Sequence, residues 1–377
     1  MTAFDSNSLF DAICPRALGP FVYHYAVPAT AHAVAYGSPL RAALTSVMND
    51  RAEIETGQRL ISEYANARLA EEQDAVGVPL RLLPESAART NFMRLTDLWL
   101  YELRGLDDVR QPTGVPLTPA QALLLIVTLG DHWLRGEAMY VACASTVPDR
   151  LSQWRAYGSC VMCLDVKVAF EPICIEGDIA STDEDIAGED GRESPTRDAV
   201  VEGYHAPEPE TSIASEQTNR PSSDIDLVWR NVLYTGTPEL DEALHRLEAS
   251  VFEVFAAACR GEVSESEAES WAIQWYLTMV GLVKDRTFIE ESEARLVVAG
   301  SDERQAVVHV REGPYGLAPY IELRPLGGGL DGMAPLFFCK TRLGPGVTEN
   351  DEQVLRYLLE KRAVRVERIA APAIVER

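Results

Sequence analysis

Phe288-Ile289-Glu290-Glu291-Ser292-Glu293-Ala294-Arg295-Leu296-Val297-Val298 is the stretch on which the fold turns. Read as a strand from Glu291 onward, it alternates: Glu291, Glu293 and Arg295 fall on one face, and Ser292, Ala294, Leu296 and Val298 on the other. A charged face backed by an apolar one suits a strand that lines a cleft. The plainer account is an exposed sheet edge carrying an internal Glu–Arg pair. Upstream, Ser264 with Glu267 makes a capping box for a helix running to about Val283. Before that helix, Leu240, Leu244, Leu247, Val251 and Val254 mark the apolar stripe of another. Downstream, strands are expected over 306–310, 320–323, 336–340 and 364–368, with a Thr348-capped helix before the last.

The N-terminal half reads as a strand over 21–26, a short helical turn ending at Gly37 and a strand over 40–44. Asp50 and Glu53 then form a capping-box pattern for a helix over 51–73. Helices follow at 91–104 and 118–133, and buried strands at 139–144 and 161–170. Between those strands Asp149 can cap a short helix that Gly158 ends. The order is α+β, a mixed or antiparallel sheet with inserted helices. Residues 175–226 hold fifteen acidic residues against three basic ones, half of the chain's net charge, and few large apolar side chains. Such a segment buries too little surface to order itself. It reads as a flexible insertion dividing one domain into residues 1–174 and 227–377; an acidic tether for a basic partner is the alternative.

Lys and Arg total 34 and Asp and Glu 58, so the formal net charge is −24. That balance opposes any broad nucleic-acid surface or anionic-membrane surface, while leaving room for a local basic pocket. No cationic start followed by an apolar run opens the chain, and the apolar run over 122–127 is far shorter than the ~20 residues that span a bilayer. Seven irregularly placed cysteines fit a reducing cytoplasm, and Cys160 and Cys163, whose odd spacing points them to opposite faces of a strand, read as structural.

Four segments in order carry a resemblance: Tyr23-His24-Tyr25; Met48-Asn49-Asp50 with Glu53; Ser145 with Asp149-Arg150-Leu151-Ser152-Gln153-Trp154-Arg155-Ala156-Tyr157-Gly158; and Phe288 to Leu296. Together with Gly344-Pro345 they resemble a widespread prokaryotic domain family of unknown function, over almost the whole chain outside the acidic insertion. Ala144 and Ala294 depart from that family's bulkier residues. More distantly, the layout is similar to the ADP-ribosyltransferase fold, with a His on a first strand and a catalytic Glu on a late one. That similarity implies an NAD-consuming enzyme, transferring ADP-ribose or hydrolysing the cofactor. By analogy with bacterial domains of such a type, it also implies a role as a toxin or in phage defence.

Cleaving the nicotinamide–ribose bond passes through an oxocarbenium-like state. Such a site needs a carboxylate at the developing charge, donors that fix ribose and phosphates, and an aromatic wall. The candidate catalytic residues are therefore Glu293, then Glu291, with His24 to hold the ribose. Tyr23, Tyr25, Asn49, Asp50, Ser145, Trp154, Tyr157 and Arg295 are candidate binding residues, with NAD as substrate and no metal required. Each has a plainer reading: His24 as a packed histidine, Asn49 and Asp50 as turn and cap, Trp154 and Tyr157 as core anchors. Two rivals remain open. One is a metal-dependent hydrolase or nuclease using Asn49, Asp50, Glu53 and Asp149 around Mg²⁺. The other is a ligand-sensing or interaction module without turnover.

Overall fold

The computed structural model describes residues 5–47, 51–76, 118–136, 138–149, 153–154, 158–174, 226–299, 306–313, 316–326, 337–344 and 347–368. In chain order the elements are α1 (Ser6–Ile13), β1 (Phe21–Ala26), α2 (Pro28–Ala35), β2 (Leu40–Leu44), α3 (Arg51–Val76), α4 (Pro119–Gly136), β3 (Tyr140–Ser145), β4 (Cys160–Asp165), β5 (Phe170–Pro172), β6 (Arg230–Asn231) and β7 (Leu233–Tyr234). There follow α5 (Pro238–Cys259), α6 (Glu265–Leu282), β8 (Val283–Lys284), a 3₁₀ turn (Arg286–Glu291), β9 (Glu293–Val298), β10 (Val308–Gly313), β11 (Gly316–Pro325), β12 (Phe338–Leu343), α7 (Glu349–Glu360) and β13 (Arg365–Arg368).

Local chemistry explains where the helices start. The Ser264 side chain accepts from the Glu267 N–H and the Glu267 carboxylate accepts from the Ser264 N–H, so α6 opens on the expected capping box. Thr237 caps α5 by accepting from the Leu240 N–H and Thr348 caps α7 by accepting from the Asp351 N–H, with Pro238 in the first turn of α5. The expected stripe of α5 is fully committed: Leu240, Leu244, Leu247, Val251 and Val254 are all buried. Truncating one of these to Ala costs about 2–5 kcal/mol.

The fold is α+β, built on a mixed sheet. Its main path is β10-β11-β2-β3-β1-β4-β12-β13, antiparallel throughout except for the parallel β12–β13 pair. β3 is the branch point. One of its edges pairs first with β2 and then, at Ser145↔Tyr23, with β1; β9 runs along the other edge, Ser145↔Glu293 to Tyr140↔Val298. Strands from both sides of the acidic window share this sheet, and Met1–Cys174 with Pro221–Arg377 form one compact unit.

The two faces carry different cores. Val22, Ala142, Ala144, Met162, Leu164, Ala294 and Leu296 point into one, beneath α2 and α7. Met139, Val141 and Val297 point into the other, beneath α1 and α3–α6. No side chain of β1, β4 or β12 belongs to this second core, so only the β3–β9 end of that face lies under its apolar helices.

The structure differs from the sequence reading in several places; the strand expected over 161–170 is two, β4 and β5, separated by residues 166–169. Glu291 lies in the 3₁₀ turn rather than in the strand, because Ser292 takes a left-handed conformation (φ 46°) and the strand begins at Glu293. Helix α1 and the short strands β6, β7 and β8 carry no clear sequence signal. The helix expected over 91–104, most of the short helix after Asp149, and the window 175–225 lie outside the described residues. Among the described residues, no helix is long and apolar enough to cross a membrane.

Candidate functional site

The register aligns chemistry-bearing residues across five strands. Lys340 pairs with Cys163, Cys163 with Tyr23, Tyr23 with Ser145, and Ser145 with Glu293. Directly paired residues share a face, so these five form one row. Two residues along, Arg342, Val161 and Tyr25 form a second row at one end, and Cys143 and Arg295 continue it at the other. A bulge around Cys339 brings Lys340 into register on this face.

At the β9 end lies a buried ionic cluster. Arg295 grips Glu293 with two bonds, Nε–Oε1 2.8 Å and Nη2–Oε2 3.0 Å. It also donates to the Gly281 carbonyl at 2.8 Å and to Glu53 of α3. Lys284 of β8 sits among three carboxylates, its Nζ 2.9 Å from Glu53, 2.8 Å from Glu291 and 2.9 Å from Glu293. The Glu293 N–H donates to the Tyr234 hydroxyl at 3.0 Å. Glu53, Lys284, Glu293 and Arg295 are all buried. Glu291 keeps 24% of its side chain exposed, beside the exposed Phe288 and Ile289.

Burial alone would raise the Glu293 carboxyl; the charge of Arg295, then that of Lys284, overcomes it and holds the group at about 2. Burial dominates at Glu53 and raises its carboxyl against the same two cations, so Glu53 takes up a proton before Glu293 as pH falls. Burial works to lower Lys284, yet Glu293 and Glu291 keep it firmly charged. Three carboxylates face two cations here. The plain expectation of an exposed edge with a Glu–Arg pair therefore gives way to a buried pair with further partners.

The β1–β4–β12 end is partly open. Tyr23 is half-buried, and the charges of Arg342, Lys340 and Asp149 act on its hydroxyl, which burial raises. Arg342 pairs with Asp149 at 2.7 Å and Lys340 with Glu367 at 2.5 Å, their side chains 21% and 31% exposed. Asp149 is in the left-handed region (φ 68°), which Asp tolerates better than most residues. The Trp154 ring meets Tyr25 edge-on, centroids 5.0 Å apart, and lies against Gly344, where a Cβ would come within 2.6 Å of the ring.

The remaining candidates separate. His24 lies on the opposite face from Tyr23, Tyr25 and Glu293; its Nδ1 is 2.8 Å from the Cys143 carbonyl, and burial lowers its basicity. Strand alternation forces this, so His24 and Glu293 cannot meet one substrate from the same side. The Ser145 hydroxyl is 2.9 Å from the carbonyls of both Val147 and Glu291, and Thr146 donates to Ser292, so both hydroxyls fasten the turn that presents Glu291. Cys160 and Cys163 are buried on opposite faces of β4 with thiols pushed up to about 12. Asn49, Asp50 and Tyr157 lie outside the described residues. Of the proposed Mg²⁺ set, Glu53 is engaged by Arg295 and Lys284, and Asp149 by Arg342.

Lys284 was missed in the sequence because nothing local marks it; one lysine between a helix and a turn is unremarkable until three carboxylates close around it. Lys340 and Arg342 were missed because their strand pairs with β4, which is distant in sequence. No family model matches the chain, and no curated protein and no solved structure matches it, so both resemblances rest on the sequence segments alone.

Proposed function

We propose that the chain consumes NAD, by ADP-ribosyl transfer or by hydrolysis, with the dinucleotide lying along the two polar rows. The alignment of Lys340, Tyr23 and Glu293 on one face carries this reading. Four strand spacings separate Lys340 from Glu293, about 19 Å, comparable to the span of an extended dinucleotide. In this reading Arg342 and Lys340 exchange their carboxylate partners for the pyrophosphate. Tyr23 and Trp154 supply ring surface, and Glu291 faces the developing oxocarbenium charge. Glu293 then acts as a positioning residue, because Arg295 and Lys284 occupy both of its oxygens. The ADP-ribosyltransferase-like character of the fold belongs to the same proposal, with His24 outside the site.

Mass spectrometry of purified protein incubated with NAD tests it. Free nicotinamide from wild type, lost in Glu291→Gln with unchanged thermal unfolding, is the expected result; an intact NAD pool from folded wild type would remove the reading. A second reading is favoured by one observation, the full occupation of the Glu293 carboxylate: a module that binds a nucleotide without turning it over. It predicts saturable NAD binding in calorimetry, lost in Arg342→Met, with no nicotinamide released.

A further inference from the structure

β12 pairs Phe338 with Leu164 and Lys340 with Cys163, so Cys339 is the extra residue of the bulge and two residues of β12 oppose Cys163. Phe338 and Thr341, opposite Leu164 and Met162, are buried on the face beneath α2 and α7. A regular strand places one residue between two such positions. Here there are two, and Cys339 joins Lys340 on the side of Cys163. Cα atoms opposed across antiparallel strands lie about 4.5–5.5 Å apart, inside the roughly 4.4–6.8 Å that a disulfide bridges. The two sulfurs also act on each other: the charge of a Cys339 thiolate works to raise Cys163.

The two thiols are unequal. Of the six cysteines whose surroundings are described, Cys339 is the exposed one, whereas Cys163 is buried. Burial pushes the Cys163 thiol up to about 12, against the charges of Lys340 and Arg342, which act to lower it. An oxidant arriving from solution therefore meets Cys339 first, and Cys163 is placed to resolve what forms there. Cys160 lies on the opposite face of β4, paired with Ala26 and Leu343, and is out of reach.

We propose that Cys339 and Cys163 are a redox modification site that closes to a reversible disulfide when a hydroperoxide oxidises it. The Cys339 thiolate attacks one peroxide oxygen and the O–O bond breaks. Hydroxide leaves, takes up a proton and becomes water, and Cys339 is left as a sulfenic acid. Cys163 then attacks the Cys339 sulfur; the S–S bond forms, the S–O bond breaks, and hydroxide leaves as water with the Cys163 proton. Two thiols lose two electrons, and one hydrogen peroxide becomes two waters. To test this, the reduced full chain is treated with hydrogen peroxide, its remaining thiols are alkylated after unfolding, and unreduced digests are sequenced by mass spectrometry. The expected product, from chains that migrate as monomers on a non-reducing gel, is a peptide pair joined through Cys163 and Cys339. It should be two hydrogens lighter than the reduced peptides and separate again in dithiothreitol. Cys339→Ser should lose the cross-link and leave Cys163 open to alkylation, and Cys163→Ala should stop at a Cys339 sulfenic acid that dimedone captures. If Cys163→Ala does not fold, wild type and Cys339→Ser, altered at an exposed position, still decide. A cross-link found only between chains, a wild-type Cys339 captured by dimedone while Cys163 stays a thiol, or two thiols unchanged by peroxide would each overturn the proposal.

Discussion

The two ends of one sheet face carry the same kinds of side chain to different effect. At the β9 end, Glu293, Arg295, Lys284 and Glu53 lie buried, each paired with two or more charged partners. At the β12 end, Lys340 pairs with Glu367, which Arg365 also meets at 3.2 Å, and Arg342 pairs with Asp149; the Lys340, Glu367, Arg342 and Asp149 side chains are a fifth to a third exposed. Charges removed from water depend on every partner, because a lone charge left in a low dielectric costs several kcal/mol. Charges at the open end can be re-paired with little loss. The first end is built to hold a geometry, and the second is held by partly exposed pairs.

The sharpest way to break this contrast is Lys284→Met. It leaves Glu53, Glu291 and Glu293 with one cation fewer and should cost about 3–5 kcal/mol in urea unfolding. A loss under 1 kcal/mol would mean that the cluster is wetter than its burial implies. Next is Glu293→Gln, expected to cost on the order of 3 kcal/mol at pH 7, from a carboxyl moved from 4.5 to about 2. Because that pKa is depressed in the folded state, the stabilisation is complete above about pH 4.5 and lost as pH falls through 2. Wild type and variant should therefore converge in acid, and a gap that persists at pH 2 would contradict the assignment. Glu53 has the opposite sign: its raised carboxyl makes ionisation costly, so Glu53→Gln should be penalised less at pH 7 than Glu293→Gln.

At the open end the effects shrink. Gly344→Ala drives a Cβ to 2.6 Å from the Trp154 ring and should cost about 1–3 kcal/mol, with a shift in tryptophan emission. Smallest of all, Lys340→Met and Arg342→Met should each change stability by about 1 kcal/mol or less, while weakening nucleotide binding in calorimetry at least tenfold. Equal losses of stability at the two ends would erase the distinction between them.

Much of the scaffold was legible from local pattern. The capping box at Ser264 and Glu267, the Thr348 cap, the stripe of α5 and the strand at 40–44 need only neighbouring residues. The alternation placing Glu293 and Arg295 together also held within β9. What failed did so where backbone conformation or a distant partner intervened. Ser292 turns left-handed and takes Glu291 out of the strand, yet Lys284 draws its carboxylate back beside that of Glu293. His24 was joined to Glu293 by residue type; the register of β1, β3 and β9 sets them on opposite faces.

By itself the sequence determined the α+β class, most element boundaries among the described residues, and the pairing of Glu293 with Arg295, since these follow from periodicity, caps and i, i+2 geometry. Only the tertiary structure decided that the cluster is buried, that Lys284 and Glu53 complete it, and that Lys340 and Arg342 share a row with Tyr23. Those facts depend on which strand edges pair and which helices cover them. Pairings between residues more than a hundred positions apart leave no trace in the local pattern of either partner.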